Sequence, residues 1–268
     1  MALDQAEARP KSHLTPVRDF CLEMLFPAHC SICRVQLGWR TLRPVCASCW
    51  GDVRLIAKPI CSRCGSPFAG NVNQAVSGTK TCDLCRENPP AFSQARSIFS
   101  YEGTIRHLIH SFKYQGKVRI GEFLGRSMVA HWEQDPDLPG VECIVPVPIG
   151  VKKLRHREFN QSFILARAIG KFLKVPVYPF ALRRIREVAP QMKLSRQERW
   201  QNIHDAFGMR EGHRTPGKKI LLVDDVFTTG ATATECSRIL MQCGAAEEVR
   251  VLTLARSVLG ADGRLVNS

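Results

Sequence analysis

The chain has 268 residues, of which 44% are hydrophobic and 23% charged, and its formal net charge is +14. This composition is typical of a folded globular protein with one large domain or two ordinary ones. The longest apolar runs are far shorter than the roughly 18 to 20 residues that span a bilayer. The opening residues, MALDQAEARPKSH, lack the apolar core of a secretory signal. We therefore expect a cytoplasmic protein without membrane insertion.

Eight of the twelve cysteines form four CxxC pairs, and disulfides do not persist in the cytoplasm. The pairs are Cys30 with Cys33, Cys46 with Cys49, Cys61 with Cys64, and Cys82 with Cys85. A CxxC turn directs two sulfurs at one centre, and two such turns complete a tetrahedron around Zn2+. The spacing predicts a double zinc-ribbon-like module over residues 28–88 that holds one or two structural Zn2+ ions.

Three alternatives to two sequential zinc sites remain at this stage. The pairs could be redox-active, although no βαβ pattern surrounds them. One site could be filled while the other pairs are vestigial, or the pairs could ligate zinc in an interleaved order. His29, next to Cys30, could also compete as a ligand.

The rest of the chain is divided by composition into a lead-in over residues 1–27, a main domain over 95–257 and a tail over 258–268. Residues 71–80 are predicted to form an exposed polar loop, and residues 88–94 a linker. In the main domain, strands are predicted at 97–101, 143–147, 219–223 and 248–254, and helices at 103–114, 117–132, 160–173 and 231–243. The charged residues 183–205 suit a mobile loop or hood. Alternation of this kind indicates an α/β fold with a parallel sheet flanked by helices.

The sequence ILLVDDVFTTGAT, residues 220–232, combines a strand with two features that suit a sugar phosphate. Asp224 and Asp225 follow the apolar run, at the carboxyl end of a strand, where open α/β sheets bind their ligands. Carboxylates there accept hydrogen bonds from ribose hydroxyls and lie near a hydrated Mg2+. Small residues then lead directly into a helix, whose amino end favours a phosphate; they are Thr228, Thr229, Gly230, Ala231 and Thr232.

Basic residues follow an earlier strand that ends in the sequence IVPVP, which includes Pro146. Prolines end a strand and fix the following loop, and cations beside it would neutralise a pyrophosphate leaving group. The candidates in this loop are Lys152, Lys153, Arg155 and Arg157. Lys113, Lys193, Arg196 and Arg199 are further candidates to clamp pyrophosphate or to bind nucleic-acid phosphates, and Lys113, Arg196 and Arg199 are the candidate catalytic residues.

The run from Val223 to Thr232 resembles the phosphoribosyl pyrophosphate motif of the type I phosphoribosyltransferases. Together with the CxxC pairs, it resembles the ComF family, also called ComF/GntX, of competence-associated bacterial proteins. The resemblance implies a type I phosphoribosyltransferase fold behind a zinc-ribbon module. It also implies binding of phosphoribosyl pyrophosphate, or a related ribose 5-phosphate, with Mg2+. Asp224 and Asp225 would hold the ribose hydroxyls, and residues 228–232 the 5-phosphate. A role in DNA uptake during natural transformation, with competence-machinery proteins as possible partners, follows from the resemblance alone.

Two functions from different classes remain open. The first is phosphoribosyl transfer to an acceptor that the sequence does not identify; an amidophosphoribosyltransferase is disfavoured, because Met1-Ala2 supplies no amino-terminal cysteine nucleophile. The second is a non-catalytic module that uses the zinc ribbons and a basic tract to bind single-stranded DNA or a protein partner. This tract, residues 152–199, carries 13 basic and 3 acidic side chains with interspersed aromatic residues.

Overall fold

A computed structural model of the chain describes residues 28–38, 41, 43–68, 81–132, 140–186, 202–213 and 215–257. The strands are β1 (Ala28–His29), β2 (Gln36–Leu37), β3 (Gln94–Ser100), β4 (Cys143–Pro146), β5 (Leu182–Arg184), β6 (Phe207–Met209), β7 (Lys219–Phe227) and β8 (Glu248–Arg256). The helices are α1 (Ala47–Gly51), α2 (Asp83–Glu87), α3 (Gly103–Tyr114), α4 (Val118–Trp132), α5 (Val151–Arg157), α6 (Gln161–Leu173) and α7 (Ala231–Gln242). Within these ranges, no helix combines the length and the hydrophobicity that a membrane crossing requires.

A four-stranded parallel sheet forms the centre of the molecule, in the order β3-β8-β7-β4. Its middle strand β7 begins with a buried apolar run, as expected for a strand covered on both faces. The strand is longer than predicted, because Asp224 and Val226 continue to pair with Thr253 and Ala255 of β8. The α/β class with a parallel sheet is confirmed.

Helices cover both faces of this sheet. Buried residues of α3, α4 and α6 pack on the face that carries Leu221 and Val223, and α7 packs on the face that carries Ile220 and Leu222. Helix α3 has the predicted bounds, and its apolar stripe is buried; the stripe consists of Ile105, Leu108, Ile109 and Phe112. Apolar residues three and four positions apart lie on one side of a helix, which is why this prediction was reliable.

A small antiparallel pair, β5 with β6, flanks the segment 183–205 that the sequence predicted as a mobile loop or hood. Its strands are three residues long, too short for the periodicity of the sequence to reveal them. Residues 187–201 of this region, with the candidates Lys193, Arg196 and Arg199, lie outside the described residues. The predicted lead-in, the polar loop at 71–80 and the tail also lie outside them.

The cysteine-rich module is joined to the outer edge of β3. Leu55 pairs antiparallel with Phe99, the Ile56 amide donates to the Ile98 carbonyl over 2.9 Å, and the Ser100 amide donates to Arg54 over 2.9 Å. An uncovered strand edge offers unpaired backbone groups to other chains, so this pairing protects the β3 edge from association with other chains.

The two halves of the module lie on opposite faces of the sheet. Cys30 and Cys49 belong to the core on the α3 side, whereas Cys61 and Cys64 belong to the core on the α7 side. Trp50 anchors the first half, with its ring centroid 5.7 Å from that of Phe99 and 4.8 Å from that of Phe123. The module therefore straddles the edge strand.

The stretch from residue 88 to residue 93, predicted as part of a linker, is packed against the sheet. Phe92 is 1% exposed, and the Ser93 amide donates to the Val249 carbonyl over 2.9 Å. The segment contains Pro89 and Pro90 and has no helix or strand, but it is packed rather than open.

The eight paired cysteines converge in two groups of four, in sequential order. The first group is Cys30, Cys33, Cys46 and Cys49, and the second is Cys61, Cys64, Cys82 and Cys85, with all sulfurs of a group within 4.8 Å of one another. His29 belongs to neither group.

Sulfur spacing and backbone donors in both groups fit a tetrahedral Zn2+. Four sulfurs about 2.3 Å from a zinc ion lie about 3.8 Å apart. The Sγ atoms of Cys33 and Cys46 are 3.7 Å apart, and those of Cys64 and Cys82 are 3.8 Å apart. Backbone amides also donate to the Cys30 and Cys61 sulfurs, for example from Cys46 over 3.4 Å and from Cys82 over 3.3 Å. Such donors stabilise thiolates, so both groups suit structural zinc with all four positions filled by protein.

We expect two zinc ions per chain. Cys82→Ser should lower the zinc content to about one ion and reduce thermal stability, because the metal holds segments that have little core of their own. Cys243→Ser, which changes an exposed cysteine outside both groups, is the matched control and should retain two ions. Native mass spectrometry of reduced protein measures the content, and far less than one zinc in the unaltered chain would contradict the assignment.

Candidate functional site

Two adjacent carboxylates lie at the carboxyl edge of the sheet. Asp224 and Asp225 follow Val223, the last residue of β7 that pairs with β4. Strand β4 ends at Pro146, whereas β7 continues past the two aspartates to Phe227. This is the edge at which open α/β sheets bind ligands, as the sequence predicted.

Asp224 is held in place by two donors. Ser162 Oγ donates to Asp224 Oδ1 over 2.8 Å, and the Asp225 amide donates to the same oxygen over 2.8 Å. Burial, followed by the charge of Asp225, raises the pKa of Asp224 to about 7, although both hydrogen bonds oppose the shift. The site therefore holds a carboxyl group that is ionised only in part near neutral pH.

Lys113, at the end of α3, pairs with the second carboxylate. Its Nζ lies 2.6 Å from Asp225 Oδ2, and the two side chains are 19% and 13% exposed. Burial lowers the pKa of Lys113, but the Asp225 and Asp224 carboxylates outweigh burial, so the net shift is upward. A charged lysine thus compensates the acidic pair, and its proposed role as a pyrophosphate clamp remains a prediction.

The predicted phosphate loop connects β7 to α7. Gly230 caps the helix with φ of 81°, in the left-handed region that favours glycine. A Cβ atom at this position would lie only 2.7 Å from the Phe227 ring, so both conformation and space require glycine. Ala231 and Thr232 begin the helix, and amide N–H groups at such an end favour an anion.

The cations that follow β4 lie on a helix rather than in the predicted loop. Pro146 is buried at the end of the strand, and α5 then exposes Lys152, Lys153 and Arg155. A helix of seven residues with basic residues in its last turn is stabilised by its dipole, an effect that the sequence reading overlooked.

One side of α5 belongs to a cluster of positive charge. Partial burial lowers the pKa of Lys153, and the nearby charges of Arg184, Arg157 and Lys113 lower it further. Arg157 also donates to the Tyr114 hydroxyl over 3.3 Å and lies over the Tyr114 ring. Several cations at the same edge as the aspartates suit an extended anion such as pyrophosphate.

Residues that the sequence reading did not assign complete the site. Asn160 caps α6 by accepting from the Ser162 amide over 3.0 Å, and its side chain donates to the Val147 carbonyl over 3.0 Å. These bonds fix the helix that presents Ser162 to Asp224. The Asn-Gln-Ser sequence at a predicted helix start was a usable signal for the cap, but not for a contact 62 residues away.

The Asp224 pKa predicts a pH dependence of stability. Since the folded pKa, about 7, exceeds the ordinary value of 3.8, Asp224 favours the folded state below pH 4, and this advantage is lost as pH rises towards 7. The free energy of unfolding of the natural chain should fall relative to that of Asp224→Asn over this range, by at most about 1.4 kcal/mol per pH unit. Urea unfolding at several pH values measures the difference. Asp83→Asn, at an exposed aspartate, is the control, and parallel curves for the natural chain and Asp224→Asn would contradict the shift.

Comparison with known proteins gives one matching family model and several similar solved structures. Residues 21–86 match the double zinc ribbon domain. Among solved structures, adenine phosphoribosyltransferase from Leishmania tarentolae is 14% identical over 55% of this chain and 74% of its own, with a TM-score of 0.33. The glutamine phosphoribosylpyrophosphate amidotransferase of B. subtilis is 20% identical over 55% of this chain and 30% of its own, with a TM-score of 0.36.

Relatives that match over nearly their whole length are named for competence or for DNA utilization. Competence protein F of Haemophilus influenzae is 28% identical over 79% of this chain and 96% of its own. DNA utilization protein YhgH of Escherichia coli K12 is 29% identical over 87% and 98%, and competence protein ComFC of Bacillus subtilis is 27% identical over 85% and 95%. These matches extend through the cysteine-rich module and the α/β domain alike, so the chain is similar over both parts to proteins named for competence and DNA utilization.

Proposed function

We propose that this chain binds phosphoribosyl pyrophosphate with Mg2+ at the carboxyl edge of its sheet, and that it serves DNA uptake or utilisation. One observation carries the proposal: the Asp224 and Asp225 carboxylates lie beside a glycine-capped helix start, at the edge where the α5 cations also lie. Carboxylates, amide donors and cations are the groups that ribose hydroxyls, a 5-phosphate and a pyrophosphate respectively require.

Each part of the ligand has a matching part of the site. The ribose hydroxyls donate to Asp224 and Asp225, and the 5-phosphate accepts from amide N–H groups within residues 228–232. The pyrophosphate faces the cations of α5, among which Lys153 interacts electrostatically with Lys113 and Asp225. A related ribose 5-phosphate would use the first two parts alone.

The acidic pair also fits Mg2+, because oxygen ligands of carboxylates suit this hard cation. Asp224 and Asp225 would hold the hydrated ion together with the substrate oxygens, and the ion would neutralise charge that develops on pyrophosphate. Lys113 balances Asp225 in the absence of ligand, so the site tolerates two neighbouring carboxylates.

The reaction that this arrangement supports is phosphoribosyl transfer. The bond between the anomeric carbon and pyrophosphate breaks with its electron pair on pyrophosphate, and an acceptor donates a pair to the carbon. Cations at the leaving group stabilise the transition state more than the ground state, because the negative charge increases there.

The role in DNA uptake or utilisation is supported by the named relatives. Competence and DNA utilization are properties of those proteins, and their match covers both modules of this chain. We extend the role to this chain, with proteins of the competence machinery as partners.

Calorimetric titration with phosphoribosyl pyrophosphate and Mg2+ tests the binding. Replacing Asp224 and Asp225 together by alanine should weaken binding at least about tenfold, because hydrogen bonds to charged groups are lost. Asp52→Ala with Asp83→Ala, two exposed aspartates of the cysteine-rich module, is the matched control and should bind as the natural chain does. Failure of the natural chain to bind, or equal binding by the first variant, would refute the proposal.

A second candidate function is binding of single-stranded DNA by the outer side of α5. Lys152 and Arg155 are exposed there, and the exposed apolar residues Val151 and Leu154 lie beside them. Cationic side chains that contact the phosphate backbone are typical of single-strand binding.

Charge reversal at Lys152 and Arg155 tests this second function. If both contact DNA phosphates, the slope of log affinity against log salt should become smaller in magnitude by about 1.4 for a single strand. Charge reversal at Lys171 and Lys174, two exposed lysines at the carboxyl end of α6, is the control, because this variant has the same net charge as the α5 variant. Fluorescence anisotropy over a salt series measures the slope. An unchanged slope in the α5 variant, or equal loss in the control, would exclude this surface.

A further inference from the structure

Arg256, the last residue of β8, contacts Cys64, a member of the second group of four cysteines. It is 6% exposed; its Nη1 donates to the Cys64 carbonyl over 2.7 Å, and its Nη2 lies 3.6 Å from Cys64 Sγ. Zinc with four thiolates carries a net charge of −2, so a buried guanidinium beside Cys64 compensates part of that charge. These contacts hold Arg256 against Cys64.

The same guanidinium lies over the aromatic ring at the start of the phosphate loop. Its central carbon is 4.3 Å from the centroid of Phe227, which is 4% exposed and also packs edge-on against Phe92. Stacking of arginine on an aromatic face restrains both groups, more so when they are buried. The position of Phe227 therefore depends on Arg256.

Phe227 in turn lies against the residue that shapes the phosphate loop. A Cβ atom at Gly230 would be 2.7 Å from the tip of the Phe227 ring, so the ring borders the backbone at the helix cap. A change in ring position would shift the amide groups that follow. Contacts thus run continuously from Cys64 through Arg256 and Phe227 to Gly230.

Apart from these contacts, a cavity lies between the second group of four cysteines and the phosphate loop. Its volume is about 870 Å³, and Cys82 and Cys85 line one side while Thr228 and Thr229 line the other. An open cavity does not transmit packing forces, because atoms across it are not in contact. Arg256 lies in the cavity wall and connects the two sides.

We propose that Arg256 is a positioning residue that couples the second zinc centre to the phosphate loop. Loss of metal from the second centre weakens sugar-phosphate binding, whereas loss from the first does not. The first centre lies on the opposite face of the sheet, where Trp50 packs on Phe99 and Phe123. The effect on affinity rests on the proposed function, and the effect on the loop itself does not.

Two cysteines offer a matched comparison of the centres. Cys46 and Cys82 are each half-buried, and each caps a five-residue helix. Cys82→Ser should weaken binding of phosphoribosyl pyrophosphate about tenfold, while Cys46→Ser should leave it within about twofold, since charge-assisted contacts through Arg256 depend on the second centre alone. Native mass spectrometry verifies that each variant lacks one zinc ion, and calorimetry measures the affinity.

Arg256→Lys tests the connection with both metals present. Lysine keeps the charge but loses the planar fork, so we again expect binding about tenfold weaker. Trp50→Ala is the control for general destabilisation, because it removes packing on the opposite face without contacting the loop. Equal loss in Trp50→Ala or in Cys46→Ser would reduce Arg256 to a structural role and overturn the proposal.

Hydrogen–deuterium exchange of free protein separates this inference from the proposed function. Residues 227–232 should exchange faster in Arg256→Lys and Cys82→Ser than in the natural chain, and Cys46→Ser should not change their exchange. If the natural chain binds no phosphoribosyl pyrophosphate yet its loop responds in this way, the proposed function fails and the coupling stands. If binding occurs and neither affinity nor exchange responds, the coupling is wrong and the function stands.

Discussion

The antiparallel pairing of Arg54 to Ile56 with the outer edge of β3 is the constraint on which the rest of the structure depends. It covers the exposed edge of a four-stranded sheet and directs the two thiol groups to opposite faces. A ribbon with few apolar residues has little core of its own, and here it shares the core of the larger domain. The cysteine-rich module and the sheet consequently form one packed unit.

The charge at the carboxyl edge is arranged around the same sheet. Burial raises the pKa of Asp224, and the charge of the neighbouring Asp225 raises it further. Two contacts stabilise the negative charge of the pair. Lys113 forms an ion pair with Asp225, and the Ser162 hydroxyl donates a hydrogen bond to Asp224. The acidic pair thus has a cationic partner and a hydroxyl partner from two different helices.

The sequence was sufficient for the elements and clusters that arise from local spacing. Helix α3 follows from apolar residues at three and four positions apart, and the two thiol groups from CxxC spacing. The extension of β7 through Asp224 was not predictable, because polar residues there are sustained by pairing with β8. Arg256 carried no signal, since a basic residue at the end of a strand is ordinary. Its role depends on Cys64, which is 192 positions away in the chain. Spacing rules describe neighbours in sequence, and contacts of this kind form only after the modules dock.

The geometry of α5 also bears on whether the two candidate functions compete. Lys153 and Arg157 are four positions apart and therefore lie on one side of the helix, while Lys152 and Arg155 are three apart and share another. Lys153, on the first side, interacts electrostatically with Arg157, Lys113 and Asp225. The second side faces solvent, with the exposed Leu154 beside it. Because the cations are divided between two sides, pyrophosphate at the first side need not occupy the groups that a single strand would contact at the second. The excess of positive charge in residues 152–199 is thus compatible with a sugar-phosphate site and a nucleic-acid surface on one short helix.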